Sequence, residues 1–306
     1  MTGLAVPSPA PLSDVLARFF VVGAAVRGAV VSLDRTLRDI LATHPYPPAL
    51  ARALAEFAAA AALLASTLKF KGSLVVQLAS EGPVRLAVVE CDATLALRAT
   101  AQWRDDAASL PADATLAVLA GDLARARLVI TLDPKDGGPV YQGVVAIAGG
   151  SIAALIEHYL ATSEQIDSRM RLAAIDGSVR GLLVQRLPGA GPEDDDAWQQ
   201  AAAAIGAFDL EQFANTATTA ELVGAALPEV DVRLFSARAT RFACPCSEAR
   251  VARALRLLGR AEIEGLLAER GDVEVTCEFC NRRYTLDPAA ARALFAEIPP
   301  ADPPAA

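Results

Sequence analysis

The sequence predicts an α+β fold: an N-terminal domain of antiparallel sheets with interspersed helices, then a helical linker, then a small C-terminal domain built around cysteines. Three observations predict it. Apolar runs that alternate with period two are joined in consecutive pairs by short turns, which is the pattern of antiparallel hairpins. The break at Pro188-Gly189-Ala190-Gly191-Pro192, followed by the acidic run Glu193 to Asp196, marks a boundary, and short helical patterns follow it. Four of the five cysteines fall into two tight pairs near the C-terminal end. These features divide the chain into residues 1–187, a helical linker over 188–240, a cysteine domain over 241–298 and a disordered tail over 299–306.

In order, residues 1–12 are Pro- and Ala-rich and read as a loose arm. Phe19 to Val31 is rich in β-branched and aromatic residues and is broken by Gly23 and Gly28, so it reads as one bent strand or two short ones. Leu33, Leu37, Ile40 and Leu41 share a helical face, and Pro45, Pro47 and Pro48 end that helix. A second helix runs from Pro48 to Leu68, and its alanine-dense middle, Ala58 to Ala62, implies close packing against a neighbour. Leu74, Val76 and Leu78 start a strand, Glu81-Gly82-Pro83 turns it, and Val84 to Glu90 returns. Residues 92–127 carry no clear pattern. Leu128 to Leu132 and Tyr141 to Ile147 form another hairpin, Ser151 to Thr162 a helix, and Arg169 to Ile175 with Val179 to Leu187 a third hairpin through Asp176-Gly177. In the linker, Asp196 is placed to cap a helix from Ala197 to Phe208, and Thr218-Thr219-Ala220-Glu221 is a capping box for a helix to Leu227.

Composition narrows the function classes. The chain has 306 residues, 53% of them hydrophobic, and a net charge of −8, so its overall field favours neither nucleic acid nor anionic membranes. The most lipid-like stretch, Phe57 to Leu68, lies between Glu56 and Lys69 and reads as too short to span a bilayer. No basic segment precedes an apolar run at the N-terminus, so the thiols are expected in a reducing cytoplasm, where metal binding or redox sensing is favoured over permanent disulfides. No catalytic constellation is visible over 1–187. His44 and His158 are isolated, no nucleophile elbow or phosphate loop is present, and Gly149-Gly150 before a helix is too weak to define a phosphate site. The chain therefore reads as a non-enzyme. Cys91, with no cysteine neighbour, reads as a small semi-buried apolar residue.

The cysteines carry the chemistry. Cys244-Pro245-Cys246 is a C-x-C, and Cys277-Glu278-Phe279-Cys280 is a C-x-x-C between the strand patterns Val273 to Thr276 and Arg283 to Leu286. A hairpin tip aims two sulfurs at one point, and the C-x-C supplies two more. Four thiolates about 2.3 Å from one ion make a closed structural zinc site; scattered buried thiols or a disulfide framework are the alternatives. Around the motif, Ser247 to Leu258 and Arg260 to Arg270 read as helices closed by Gly259 and Gly271, and Asp287-Pro288 opens a last one. So small a domain has a thin core. A structural zinc contributes about 10–16 kcal/mol in zinc-finger peptides, so its loss should unfold this domain.

The C-x-C, thirty residues, C-x-x-C spacing resembles the redox-regulated holdase chaperones, the thirty-three kilodalton heat-shock protein family of bacteria. Lys69-Phe70-Lys71-Gly72 leading into Val75 to Leu78, Gly82 to Val89, Tyr141-Gln142-Gly143-Val144-Val145, and Tyr159 to Gln165 are similar to other signatures of that family. The resemblance implies one Zn2+ per chain held by Cys244, Cys246, Cys277 and Cys280 in the reduced, inactive form. It implies that oxidants pair Cys244 with Cys246 and Cys277 with Cys280, release zinc, and unfold the C-terminal domain and linker under stress. Dimers then form, and unfolding client proteins are held without ATP. One departure is that the family's linker is commonly rich in charge, whereas Ala201 to Ala204 is apolar and helix-favouring.

Two rivals use the same residues. Arg233 to Arg283 carries ten arginines against seven acidic residues, a weak basic patch for a nucleic-acid-binding zinc module. That excess of charge equally compensates four thiolates on one divalent ion. A thiol–disulfide oxidoreductase also uses C-x-x-C, but the strand-to-helix setting of such enzymes is missing here.

Overall fold

A hairpin of β1 (Val15–Val21) and β2 (Val26–Leu33), turned at Gly23 with φ 76°, opens the described chain. The computed structural model describes residues 11–67, 71–135, 137–147, 150–211 and 218–295. Gly28 does not break the strand as predicted. It lies opposite Phe19, and a Cβ there would overlap the Phe19 ring, so the glycine makes room for an aromatic packed across the pair. The predicted loose arm is only partly described. Pro11 bridges to Thr218 and Leu12 is buried, so these two residues belong to the folded unit, whereas residues 1–10 lie outside the described residues.

α1 (Arg35–Leu41) and α2 (Pro48–Thr67) follow, with Leu37 and Ile40 of α1 facing inward as their spacing requires. A meander comes next: β3 (Gly72–Ala79), β4 (Val84–Asp92) and β5 (Ala96–Trp103). The region without a sequence pattern thus holds a third strand, a 3-10 turn at Asp105–Ser109 and α3 (Leu116–Ala120). β6 (Arg127–Pro134) returns to pair with β3, and β7 (Tyr141–Ala146) closes the outer edge. α4 (Ile152–Thr162) is capped by Ser151, whose hydroxyl accepts from the Ala154 N–H at 3.2 Å. β8 (Ser168–Ile175) and β9 (Ser178–Arg186) rejoin the first hairpin, β9 lying antiparallel to β2.

α2 lies between the two sheets. Its alanines Ala58 to Ala62 are all fully buried and share one core with Val31 and Leu183 of the first sheet and Leu74, Val76 and Val89 of the second. Methyl side chains let both sheets approach the helix axis, which is why the alanine run is there. The expectation that this stretch is too short for a membrane is corrected: the helix has 20 residues and by length and composition could cross one. Its burial between the sheets, 83% of that window, is what accounts for its apolarity.

The segment predicted as linker packs on the other face of the first sheet. α5 (Asp195–Ala207) and α6 (Thr219–Ala226) bury Trp198, Ala201, Ile205, Leu222 and Val223 against Phe19, Val30 and Leu182. Asp196 is not the cap. Asp194 occupies that position, and its carboxylate accepts from the Ala25 N–H at 2.7 Å, so it ties the helix start to the β1–β2 turn. The capping box at Thr218 and Glu221 forms as predicted, with bonds of 3.2 and 3.1 Å. The segment is not wholly helical: β10 (Val232–Leu234) and β11 (Arg238–Ala239) both pair with β1. β12 (Arg241–Phe242) then lies parallel to β5. The strand orders are β10-β1-β2-β9-β8, with β11 also on β1, and β12-β5-β4-β3-β6-β7. Sheets made mainly of antiparallel pairs with separate helices make this an α+β fold.

These elements form one compact unit, Met1–Ala243, and Cys244–Ala306 forms a second. The second holds α7 (Glu248–Leu258), α8 (Arg260–Arg270), the hairpin β13 (Val273–Thr276) and β14 (Arg283–Leu286), and α9 (Pro288–Ala293). Gly259 and Gly271 end the two longer helices at φ 91° and 85°, and Asp287 caps the last, as predicted. Among the described residues the buried cluster of this unit is Leu255, Ile263, Leu267, Val273 and Ala291, and Tyr284 is buried as well. The residues of the predicted tail, 299–306, lie outside the described residues, as do Lys69 and Phe70 of the family-like stretch.

Candidate metal centre

The β13–β14 hairpin has its turn at Cys277–Cys280. The Cys277 N–H donates to the Arg282 carbonyl at 2.9 Å, and the Asn281 N–H donates to the Cys277 carbonyl at 2.8 Å, closing a tight knuckle. Asn281 sits at φ 56°, a left-handed conformation that asparagine tolerates better than most residues. This turn aims the sulfurs of Cys277 and Cys280 to one side. The C-x-C segment then brings the Cys244 Sγ to 3.7 Å from the Cys277 Sγ, and the Cys246 Sγ to 3.3 Å from the Cys280 Sγ. All four sulfurs lie within 4.8 Å of one another, and all four residues are half-buried.

The donor set fits a tetrahedral soft-metal site. Four sulfurs about 2.3 Å from a central ion stand about 3.8 Å apart, and the Cys244–Cys277 separation matches that edge. Thiolate sulfurs select zinc, copper(I) or iron–sulfur chemistry over hard oxygen-seeking cations. Burial raises the Cys244 thiol, and it raises the Cys280 thiol well above the ordinary range, with the neighbouring sulfurs adding to the rise for Cys280. Burial also pushes Cys246 upward, but hydrogen bonds from Tyr284 and the other three cysteines outweigh it and hold Cys246 down at about 7. Four thiols crowded this closely cannot all ionise alone; a divalent cation would remove that conflict.

The residues beyond the four sulfurs were not evident from the sequence. The Tyr284 hydroxyl donates to the Cys246 sulfur at 3.1 Å, and the Arg282 guanidinium lies 5.9 Å from the Tyr284 ring centre. Period-two alternation places Tyr284 on the inner face of its strand, but nothing local shows what its hydroxyl meets. Several arginines of the weak basic patch are engaged within this unit. Arg256 and Arg260 donate to the carbonyls of Leu294 and Phe295, each at 2.9 Å, and Arg283 pairs with Glu274 at 3.3 Å.

The other singled-out residues lie elsewhere. Cys91 is fully buried on β4, and burial drives its thiol far above its ordinary pKa, so it is held neutral. The His44 Nδ1 lies 2.9 Å from the Thr43 hydroxyl and 3.1 Å from the Tyr46 hydroxyl, while His158 is exposed on α4. Two of the family-like stretches meet: Gly143 on β7 leaves room for the Tyr159 ring, and the Tyr159 hydroxyl donates to Glu164.

Comparison with known proteins bears on this geometry. Residues 14–287 match the family described as Hsp33 protein. A 33 kDa chaperonin of Methylobacillus flagellatus is 39% identical over 287 residues, covering 93% of this chain and 95% of the relative. A 33 kDa chaperonin of Neisseria meningitidis serogroup B is 38% identical, covering 93% and 92%. The crystal structure of the Thermotoga maritima 33 kDa chaperonin superposes with a TM-score of 0.78 over 92% of this chain and 97% of its own, at 19% identity, and so shares the fold. With its cysteine cluster, its two-sheet body and these relatives in agreement over nearly its full length, the chain belongs to the Hsp33 family.

Proposed function

We propose that this chain is a redox-regulated, ATP-independent holdase that binds unfolding proteins during oxidative stress in the cytoplasm. Membership of a family whose relatives are named chaperonins supports a chaperone function. The observation that carries the redox reading is the gathering of four sulfurs within 4.8 Å on a unit with a small buried core. In the reduced form Cys244, Cys246, Cys277 and Cys280 would hold one Zn2+, which keeps all four as thiolates and supplies the folding energy the small core lacks.

Thiolates are the oxidisable form of cysteine. Each pair of sulfurs gives two electrons to one peroxide, which takes up two protons and leaves as water, and one disulfide forms. Two such events convert all four thiolates and leave no ligand set. By the family resemblance the pairs are Cys244 with Cys246 and Cys277 with Cys280. The separations alone do not choose among pairings, since every sulfur lies within 4.8 Å of the others. Disulfides between residues two or three positions apart close small, strained rings that are readily reduced again, which suits a reversible switch.

Unfolding of 241–298 then removes the C-terminal anchor of the linker, 188–240. α5 and α6 cover apolar residues of the first sheet, among them Phe19, Val30 and Leu182, and their release would uncover that face for clients and for a homodimer partner. Alanine-rich α5 packs its Ala201 and Ala202 tightly against the sheet, so this linker should require heat as well as oxidant. The test follows zinc release by peroxide together with aggregation of a heat-labile client, before and after oxidation. Suppression only after oxidation is expected; equal suppression in both states would overturn the switch.

A further inference from the structure

We propose that the outer edge of β1 is the docking site for an extended segment of an unfolding protein, which takes the place of this chain's own residues 231–240. The proposal rests on the holdase reading and specifies how a client is held. β1 is an edge strand of the first sheet apart from this segment, and the segment covers its whole length. The Val22 N–H donates to the Asp231 carbonyl, the Phe235 N–H to the Arg18 carbonyl and the Thr240 N–H to the Asp14 carbonyl, each at 2.8 Å. Between them Val21 lies opposite Val232, Phe19 opposite Leu234 and Leu16 opposite Arg238.

The cover is weakly held. Of the segment's side chains only Thr240, at its end, is buried; Val232 and Leu234 are half-buried, and Arg233 and Arg238 are exposed, Arg238 donating to the Ala93 carbonyl at 2.6 Å. Main-chain bonds therefore do most of the holding, and a short surface strand of this kind opens at low cost. The segment runs straight into β12, which is held on β5 by the Arg241 N–H on the Leu95 carbonyl at 3.2 Å and the Ala243 N–H on the Leu97 carbonyl at 3.0 Å, so its end comes free when β12 opens together with the unfolding of 241–298. β1 itself stays in place through its pairing with β2 and the burial of Leu16, Ala17, Phe19 and Val21.

A bare β1 is a strong strand acceptor. Val15-Leu16-Ala17-Arg18-Phe19-Phe20-Val21 is seven residues with a single charge, the kind of edge that pairs with any available extended chain. Strand addition takes its affinity from main-chain bonds and so tolerates varied sequences, which suits a binder of many clients. The displaced segment indicates the favoured chemistry: alternating apolar residues, as at Val232 and Leu234, with an aromatic on the other face. Phe235 meets Phe20 edge to face at 5.3 Å, and Phe20 and Val22 are already largely exposed.

The test uses the full-length chain and a fluorescent peptide copying residues 230–240, read by anisotropy. The oxidised, metal-free chain should bind the peptide, and the reduced chain, whose edge is occupied, should not. N-methylation of the peptide at Arg233 and Phe235, which face β1, should weaken binding about tenfold, as should Arg18→Pro in the chain. A photo-crosslinker at Phe20 should capture a denatured client in the oxidised state. Equal binding of the N-methylated peptide would overturn the proposal even if Arg18→Pro failed to fold, and so would crosslinks at position 20 only to a second copy of the chain. Peptide binding without suppression of aggregation would instead sink the holdase reading and uphold the edge as a strand acceptor.

Discussion

The hydroxyl of Tyr284, on β14, donates to the sulfur of Cys246, in the C-x-C segment before α7, at 3.1 Å. It joins the two halves of the cysteine cluster through a group that is not itself a ligand. A hydrogen bond to a ligand atom orients it and tunes its basicity, and removing such a partner usually costs 10–100-fold in metal affinity. Tyr284→Phe should therefore weaken zinc retention about tenfold while leaving the fold intact, as measured by competition with a chromogenic chelator.

Metal removal should unfold the second unit and spare the first. So small a buried cluster cannot order it alone, whereas the first unit has a core continuous through both sheets and α2. Hydrogen exchange on the reduced chain, with and without chelator, should show protection lost over 244–295 and retained in β2, β3 and β9. Protection retained over 244–295 after the metal is stripped would contradict this.

Asp14 makes a pH-dependent contribution to the first unit. Its carboxylate accepts from the backbone N–H groups of Asp34, Arg35 and Thr36 at 3.1, 3.0 and 2.7 Å, so it caps α1 from the bend that precedes β1. Burial pushes its pKa up, but these bonds and one from the Thr36 side chain outweigh it and hold the carboxyl below its ordinary range. A carboxylate depressed in the folded state stabilises above its unfolded pKa, and that contribution disappears as pH falls through the folded value. Asp14→Asn should cost about 1 kcal/mol at neutral pH. In urea titrations the difference from the native chain should shrink below about pH 4.

Ala60 is fully buried on α2 between the two sheets. Ala60→Leu adds three carbons where both sheets are already in contact, and overpacking of this kind typically costs about 1–3 kcal/mol. A lowered urea midpoint with an unchanged slope is expected. An unchanged midpoint would mean that the sheets can part without penalty.

Local signals in the sequence determined much of this protein. Capping residues, glycine stops and period-two runs act over a few positions, so Thr218, Gly259, Asp287 and the hairpin bracketing Cys277 and Cys280 were legible, and so were the four sulfurs. Burial and long-range pairing were not. That Gly28 continues a strand, that Asp194 rather than Asp196 starts α5, and that β6 returns to β3 and β9 to β2 depends on partners distant in the chain. Only the tertiary structure decided that Asp14 would cap α1, that residues 231–240 would line β1, and that Tyr284 would reach Cys246. The physical reason is range. A turn or a cap is settled by its own few residues, whereas the target of a hydroxyl or of a strand edge exists only after distant segments have packed.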